Sequence, residues 1–170
     1  RTIKAGRKFA DSQLNPAGTI LVNGELHVSS LKIDGGDATR AMAVYDGVLE
    51  LNDGAVLTGA KITSNMNGGG LYAADNTRTE KRATVTINDG ASITGNVFHP
   101  VTSVETKGIG LYVEQAEVVM NGGTISDNMD ENTPTERTRT ASGGAVGING
   151  QGADGVVLLS LAVRGIDDRC

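Results

Sequence analysis

Carboxylates, imidazoles and guanidiniums are the side chains with most chemistry to offer, and their spacing limits what each could do. Hydrolysis of a glycosidic bond needs two carboxyl groups held about 5 to 9.5 Å apart on a rigid face. Here the acidic residues are scattered on predicted corners, as at Asp53 and Asp89, and the one Asp-Asp pair, Asp167-Asp168, lies in the C-terminal tail. Lyase chemistry needs several acidic oxygens around a Ca²⁺ ion with an Arg or Lys base alongside. No such cluster is legible. His27 and His99 lie far apart without an evident partner constellation, so both are expected to be solvated. His27 stands between Leu26 and Val28 and, by alternation along a strand, faces outward. The sequence therefore leads us to expect no catalytic residue, no metal and no other cofactor.

Two further motifs have simpler readings. Asn149 to Val156, NGQGADGV, matches all but the first Gly of the glycine-rich nonapeptide that binds Ca²⁺ in parallel β-roll repeats. That motif draws its ligands from consecutive copies; here there is one, which reads as a plain glycine loop. Cys170 is the single cysteine and the last residue, so no internal disulfide forms.

Two loops of similar composition are more suggestive: NTRTEKRA from Asn76 to Ala83 and NTPTERTRTA from Asn132 to Ala141. Their threonine hydroxyls and cationic side chains suit recognition of carboxylated or sulfated glycans, or of an acidic protein patch. Solvent exposure alone would also account for such a composition. The candidate ligand contacts are Arg78, Lys81, Arg82, Arg137 and Arg139.

The elements that must position these residues come from a repeat. The stretch VLELNDGAVLTG from Val48 to Gly59 returns as VTINDGASITG from Val85 to Gly95 and, one residue shorter, as VVMNGGTISD from Val118 to Asp127. Each copy is an alternating apolar run, a corner of Asn-Asp-Gly or Asn-Gly-Gly, and a second apolar run, which is the signature of a stacked coil. Alternation points Leu49, Leu51, Val85, Ile87, Val118 and Met120 inward and leaves Glu50, Thr86 and Val119 outside. Leu57, Ile93 and Ile125 are expected to stack inward on the next sheet.

A first Asn column, Asn23, Asn52, Asn88 and Asn121, is expected at the bend. There Asn takes the left-handed conformation and bonds its neighbour one coil on, forming a ladder. A second set, Asn65, Asn96 and Asn128, closes I-T-S-N, I-T-G-N and I-S-D-N. A third column, MAVY, GGLYA, GIGLYV and GGAVGI, precedes each Asn-containing run and gives three strands per coil. Unequal intervals between copies mark surface loops, because a stack tolerates any loop that leaves and returns at one corner.

Composition agrees with a narrow aliphatic core. The 170 residues include 24 Gly, 3 Tyr, 2 Phe and no Trp, and no stretch holds a helical apolar period over three turns. A net charge of -5 argues against nucleic acid as a partner. No apolar run approaches the roughly 18 residues that span a bilayer, so no membrane insertion is expected in this segment. A start at Arg1 without Met is expected of a processed protein or a piece of a longer one.

The I-x-x-N element (Ile62 to Asn65, Ile93 to Asn96, Ile125 to Asn128) alternates with a G-G-x-apolar element (Gly69 to Tyr72, Gly143 to Val146, and the imperfect Gly108 to Leu111). Over residues 19 to 150 this resembles the repeats of right-handed parallel β-helix, pectin-lyase-like surface proteins. It is similar to the F-x-x-N and G-G-A-I repeats of chlamydial polymorphic outer-membrane proteins, with Ile in place of Phe, and to the N-G-G-T-I-S-x-N repeats of bacterial adhesin-like proteins. The resemblance implies an all-β, right-handed parallel β-helix of about four to five three-strand coils. Residues 1–18 would be a remnant coil or cap, 19–163 the β-helix and 164–170 a tail. Val156 to Val163 is expected to be the last strand or a capping element.

The function implied is that of a non-enzymatic cell-surface or secreted module, an adhesin-like binder or rigid stalk. Its recognition would lie on the lateral loops 76–83, 97–107 and 129–142, directed at a glycan or protein surface of a host or neighbouring cell. Open terminal edges invite end-to-end self-association. The alternative is a fragment of a polysaccharide lyase or glycoside hydrolase whose catalytic coils lie elsewhere; two carboxylates side by side on one sheet would favour it.

Overall fold

The computed structural model describes residues 1–6, 16–37, 39–63, 66–75, 79, 81–99, 105–131, 140–142, 144–149 and 160–161. Those residues form short strands and no helix. The first strand is β1 (Thr2–Lys4), and a regular succession follows: β2 (Ile20–Val22), β3 (Glu25–Val28) and β4 (Lys32–Asp34). The next round is β5 (Met42–Tyr45), β6 (Val48–Leu51), β7 (Val56–Thr58) and a short β8 (Lys61–Ile62). A third comprises β9 (Leu71–Ala74), β10 (Thr84–Ile87), β11 (Ser92–Thr94), β12 (Val97–Phe98) and β13 (Glu105–Lys107). The fourth is β14 (Leu111–Glu114), β15 (Glu117–Met120), β16 (Thr124–Ser126), β17 (Met129–Asp130) and β18 (Thr140–Ser142), before β19 (Val146–Asn149) and β20 (Ser160–Leu161).

Three five-stranded sheets result, in the orders β19-β14-β9-β5-β2, β20-β15-β10-β6-β3 and β1-β4-β7-β11-β16, with smaller sheets β17-β12-β8 and β13-β18. Every pairing is parallel, and each round lays one strand beside its predecessor in each large sheet. The protein is thus all-β with parallel sheets, an arrangement compatible with a parallel β-helix.

Register makes the core. Leu26, Leu49, Val85 and Val118 stand in one column, and Ile33, Leu57, Ile93 and Ile125 in another. Leu49, Leu51, Val85, Ile87, Val118, Leu57 and Ile93 are wholly buried, as expected, while Met120 and Ile125 are partly buried against the same cluster. Each fully buried aliphatic side chain contributes roughly 1.5–3 kcal/mol relative to exposure. Glu50, Thr86 and Val119 lie on the outer face in one register row. A second, smaller cluster holds Phe98, Ile62, Ile109, Met66, Ala60 and Ala17.

The first Asn column needs correction. β3 pairs with β6 so that Val28 faces Leu51, which puts Ser29, not Asn23, beside Asn52. Asn23-Gly24 instead links β2 to β3, as Asp46-Gly47 links β5 to β6. Within the true column, Asn88 Nδ2 donates to Asn52 Oδ1 at 2.8 Å and Asn121 Nδ2 to Asn88 Oδ1 at 2.9 Å. The left-handed residue of that corner is not the Asn but the glycine two positions on, with φ of 71°, 77° and 76° at Gly54, Gly90 and Gly123.

In the second set, Lys61 pairs with Val97 and Val97 with Met129, so Ala60 shares a column with Asn96 and Asn128; Asn65 lies outside the described residues. Asn96 is wholly buried. Its Oδ1 accepts from Ala60 N at 3.1 Å, and its Nδ2 donates to Leu57 O at 3.3 Å and Asn128 Oδ1 at 2.8 Å. Asn128 Nδ2 donates in turn to Ile93 O at 2.9 Å.

The G-G-x-apolar element packs directly against this buried amide row. A Cβ placed on Gly70 would lie 2.8 Å from Asn96 Nδ2, and one on Gly110 would lie 2.7 Å from Asn128 Nδ2. The two motifs recur together because each amide needs a bare backbone opposite it.

Candidate functional site

The lateral loops depart from defined strand ends. Loop 76–83 leaves β9 and returns on β10, and its base is tied. Asp75 Oδ1 accepts Ala83 N–H at 2.6 Å, Arg82 Nε lies 3.6 Å from Asp75 Oδ2, and Thr79 Oγ1 donates to Asp46 Oδ2 at 2.7 Å. Asp46 and Asp75 follow the paired residues Tyr45 and Ala74. Burial, with Asp46 adding to it, pushes the Asp75 carboxyl above the usual carboxylate range; the Ala83 amide and Arg82 oppose that shift. Of the predicted contacts, Lys81 and Arg82 are exposed, and Arg82 is already engaged at the loop's own base. Arg78, Arg137 and Arg139 lie outside the described residues.

The other two loops share a corner. One leaves from β12 and returns on β13; the other leaves from β17 and returns on β18. β12 pairs with β17, and β13 with β18. The stems of loops 97–107 and 129–142 are therefore side by side one round apart, whereas loop 76–83 belongs to a different corner.

His99 stands at the departure of the first of these loops. Its backbone N–H bonds Ile62 O at 2.7 Å, and its Nδ1 lies 2.8 Å from Glu131 Oε2, which Lys61 Nζ approaches to 3.9 Å. The expectation of a histidine without partners is corrected here: parallel register puts Glu131, one round on, beside it.

The same correction is larger at His27. β3 places it directly opposite Glu50 of β6. Nδ1 is hydrogen-bonded to Glu50 Oε2, Nε2 lies 2.9 Å from Glu25 Oε1, and Glu50 Oε1 accepts from Asn88 Nδ2 at 2.9 Å. His27 does face outward, as alternation requires, and it is exposed. The sequence held the signal, since Leu26 and Leu49 belong to one column. Placing Asn23 beside Asn52 shifted the strand and set His27 against Val56 instead of Glu50.

Two carboxylates are thereby brought to one sheet face, but they meet opposite nitrogens of one ring instead of a common point. Among the described residues no group of three or more His, Cys, Asp or Glu side chains is arranged to hold a metal ion.

A polar cluster that sequence reading missed surrounds Arg40, which is buried. Its Nε donates to Asn67 O at 2.6 Å and Nη1 to Ala17 O at 2.7 Å, and its Cζ lies 4.6 Å from the Tyr72 ring centroid. Tyr72 stacks on Tyr112 at 6.0 Å and donates its hydroxyl to Glu114 Oε2 at 2.7 Å. An isolated Arg before an apolar strand carries no sequence mark of burial. Its chemistry is structural: it joins three segments through carbonyls and a ring face. Comparison with known protein families, curated proteins and solved structures finds no match to this chain.

Proposed function

We propose that this chain is a right-handed parallel β-helix of the pectin-lyase-like kind, acting as a non-enzymatic, cell-surface or secreted binding module. Its stack is the rigid support, and recognition lies on loops at one corner. The observation that carries this reading is the pairing of β12 with β17 and of β13 with β18, which brings two lateral loops together at their stems. Further support comes from the fixed order in which the chain visits its three large sheets and from the amides of Asn52, Asn88 and Asn121, bonded from round to round as an asparagine ladder. The ligand class that suits the cationic loop residues is a carboxylated or sulfated glycan.

The test is retention of a panel of neutral and acidic polysaccharides on the immobilised chain. An acidic glycan should be retained, and Arg137→Ala with Arg139→Ala should weaken it at least about tenfold, roughly 1.4 kcal/mol. Equal retention by the double variant removes that loop as the site. Lys81→Ala should have a smaller effect, because its loop leaves from another corner.

The alternative is a fragment of a polysaccharide lyase or glycoside hydrolase whose catalytic coils lie elsewhere; Glu25 and Glu50 share one sheet face but bind opposite nitrogens of His27. That reading requires product release from one of the same polysaccharides, with or without Ca²⁺, by a longer chain that carries those coils.

A further inference from the structure

We propose that His27 is a proton-operated clamp: with both ring nitrogens protonated it bonds Glu50 across to β6 and Glu25 along its own strand β3, and loss of one ring proton sets a lone pair against one of these carboxylates and loosens β3 from the stack. This inference rests on strand register and ring chemistry, and it stands or falls independently of what the loops bind.

The geometry asks for two donors on the ring. Nε2 lies 2.9 Å from Glu25 Oε1, and Nδ1 faces Glu50 Oε2. An ionised carboxylate only accepts hydrogen bonds, and only the imidazolium has N–H on both nitrogens. The neutral ring keeps one of these bonds and turns a lone pair toward the other carboxylate. Glu50 is poorly placed to turn away, because its Oε1 already accepts from Asn88 Nδ2 at 2.9 Å. In the tautomer protonated at Nε2 the fixed Glu50 contact turns from attractive to repulsive; in the one protonated at Nδ1 the Glu25 contact does.

Location gives that change an effect. β3 is the terminal strand of the order β20-β15-β10-β6-β3, so among the described residues its only neighbour in that sheet is β6. The charged groups facing the ring are Glu25, from β3 itself, and Glu50, from β6. The next side chains along the same row, Thr86 and Val119, carry no charge. Side-chain bonds to Glu25 and then Glu50 hold the His27 pKa above its ordinary 6.5, with desolvation acting against them. A folded state that binds the proton more tightly than the unfolded chain is stabilised fully below pH 6.5; that stabilisation is lost as pH rises through the higher folded value. The end of the stack is therefore tighter below that folded value than above it.

The experiment uses the whole chain. Ring ¹⁵N shifts of His27 should report two protonated nitrogens at about pH 6.5, where half of an unperturbed population would be neutral. Amide exchange of Leu26 to Val28 is then measured as a ratio to that of Val85 to Ile87 in β10, which removes the intrinsic pH dependence. Between about pH 6 and pH 8 the relative protection of β3 should fall at least about threefold in the unmodified chain. In His27→Gln the ratio should be the same at both pH values, with β10 protection reporting that the variant folds. A ring that is half neutral at about pH 6.5 overturns the proposal. So does β3 protection that follows β10 throughout, or a pH response that survives His27→Gln.

Discussion

Asn96 and Asn121 are the same residue type at two corners of one stack, and their surroundings give them different weight. Asn96 is wholly buried and meets Ala60 N, Leu57 O and the Asn128 amide at once. Asn121 is exposed and donates to Asn88 alone among the bonds described for its side chain. A buried polar group left without a partner costs about 1–3 kcal/mol, whereas an exposed one rebonds to water. Asn96→Ala is expected to lower stability by about 2–4 kcal/mol and Asn121→Ala by less than about 1 kcal/mol. Urea unfolding midpoints at constant slope measure both. Equal losses would mean that burial does not separate the two corners.

At the scale of the strand and its corner, the close approach of bare backbone to amide sets the tolerance. A Cβ on Gly110 would lie 2.6 Å from Ala145 O as well as 2.7 Å from Asn128 Nδ2. Neither neighbour can give way cheaply, since one is backbone and the other is bonded to Ile93 O. Gly110→Ala should therefore destabilise by about 1–3 kcal/mol, as overpacking does, while Gly24→Ala, whose Cβ would meet nothing within 4 Å, should be close to neutral. Paired thermal melts of the two variants decide it. Alternation and the three-fold repeat made the inward residues of β6, β10 and β15 legible in the sequence, because a two-residue period has only two faces. Asn-Gly corners were a poorer guide. They occur wherever the chain bends, so Asn23 was matched to the wrong bend. One strand slipped in this way hid the pairing of His27 with Glu50. Contacts across rounds, including His99 with Glu131 and Arg40 with Tyr72, depend on loop lengths that alternation does not encode.

For the whole molecule, stability is shared between neighbours. Each round touches the one before and the one after, so its protection depends on both interfaces. β10 has strands on both sides, and its inward residues Val85 and Ile87 are wholly buried. Among the described residues β16 ends its sheet, with Thr124 and Ser126 exposed and Ile125 only partly covered. Amide exchange should be slowest in β6 and β10 and faster in β16, a gradient along the stack in place of one global rate. A uniform rate across these strands would mean that the rounds unfold as one block.

The backbone hydrogen bonds of all three large sheets run from one round to the next, and His27, the Asn columns and the aliphatic columns follow the same direction. Tension applied along that direction would pull these contacts apart end-on, one interface after another, instead of shearing a whole sheet at once. Released rounds differ in contour: in-register partners on neighbouring rounds are 23, 36 and 33 residues apart. At about 3.4 Å per extended residue, the chain would pay out in unequal steps of roughly 80 to 120 Å. Loop lengths that the core does not sense would thus set the length of each step under force.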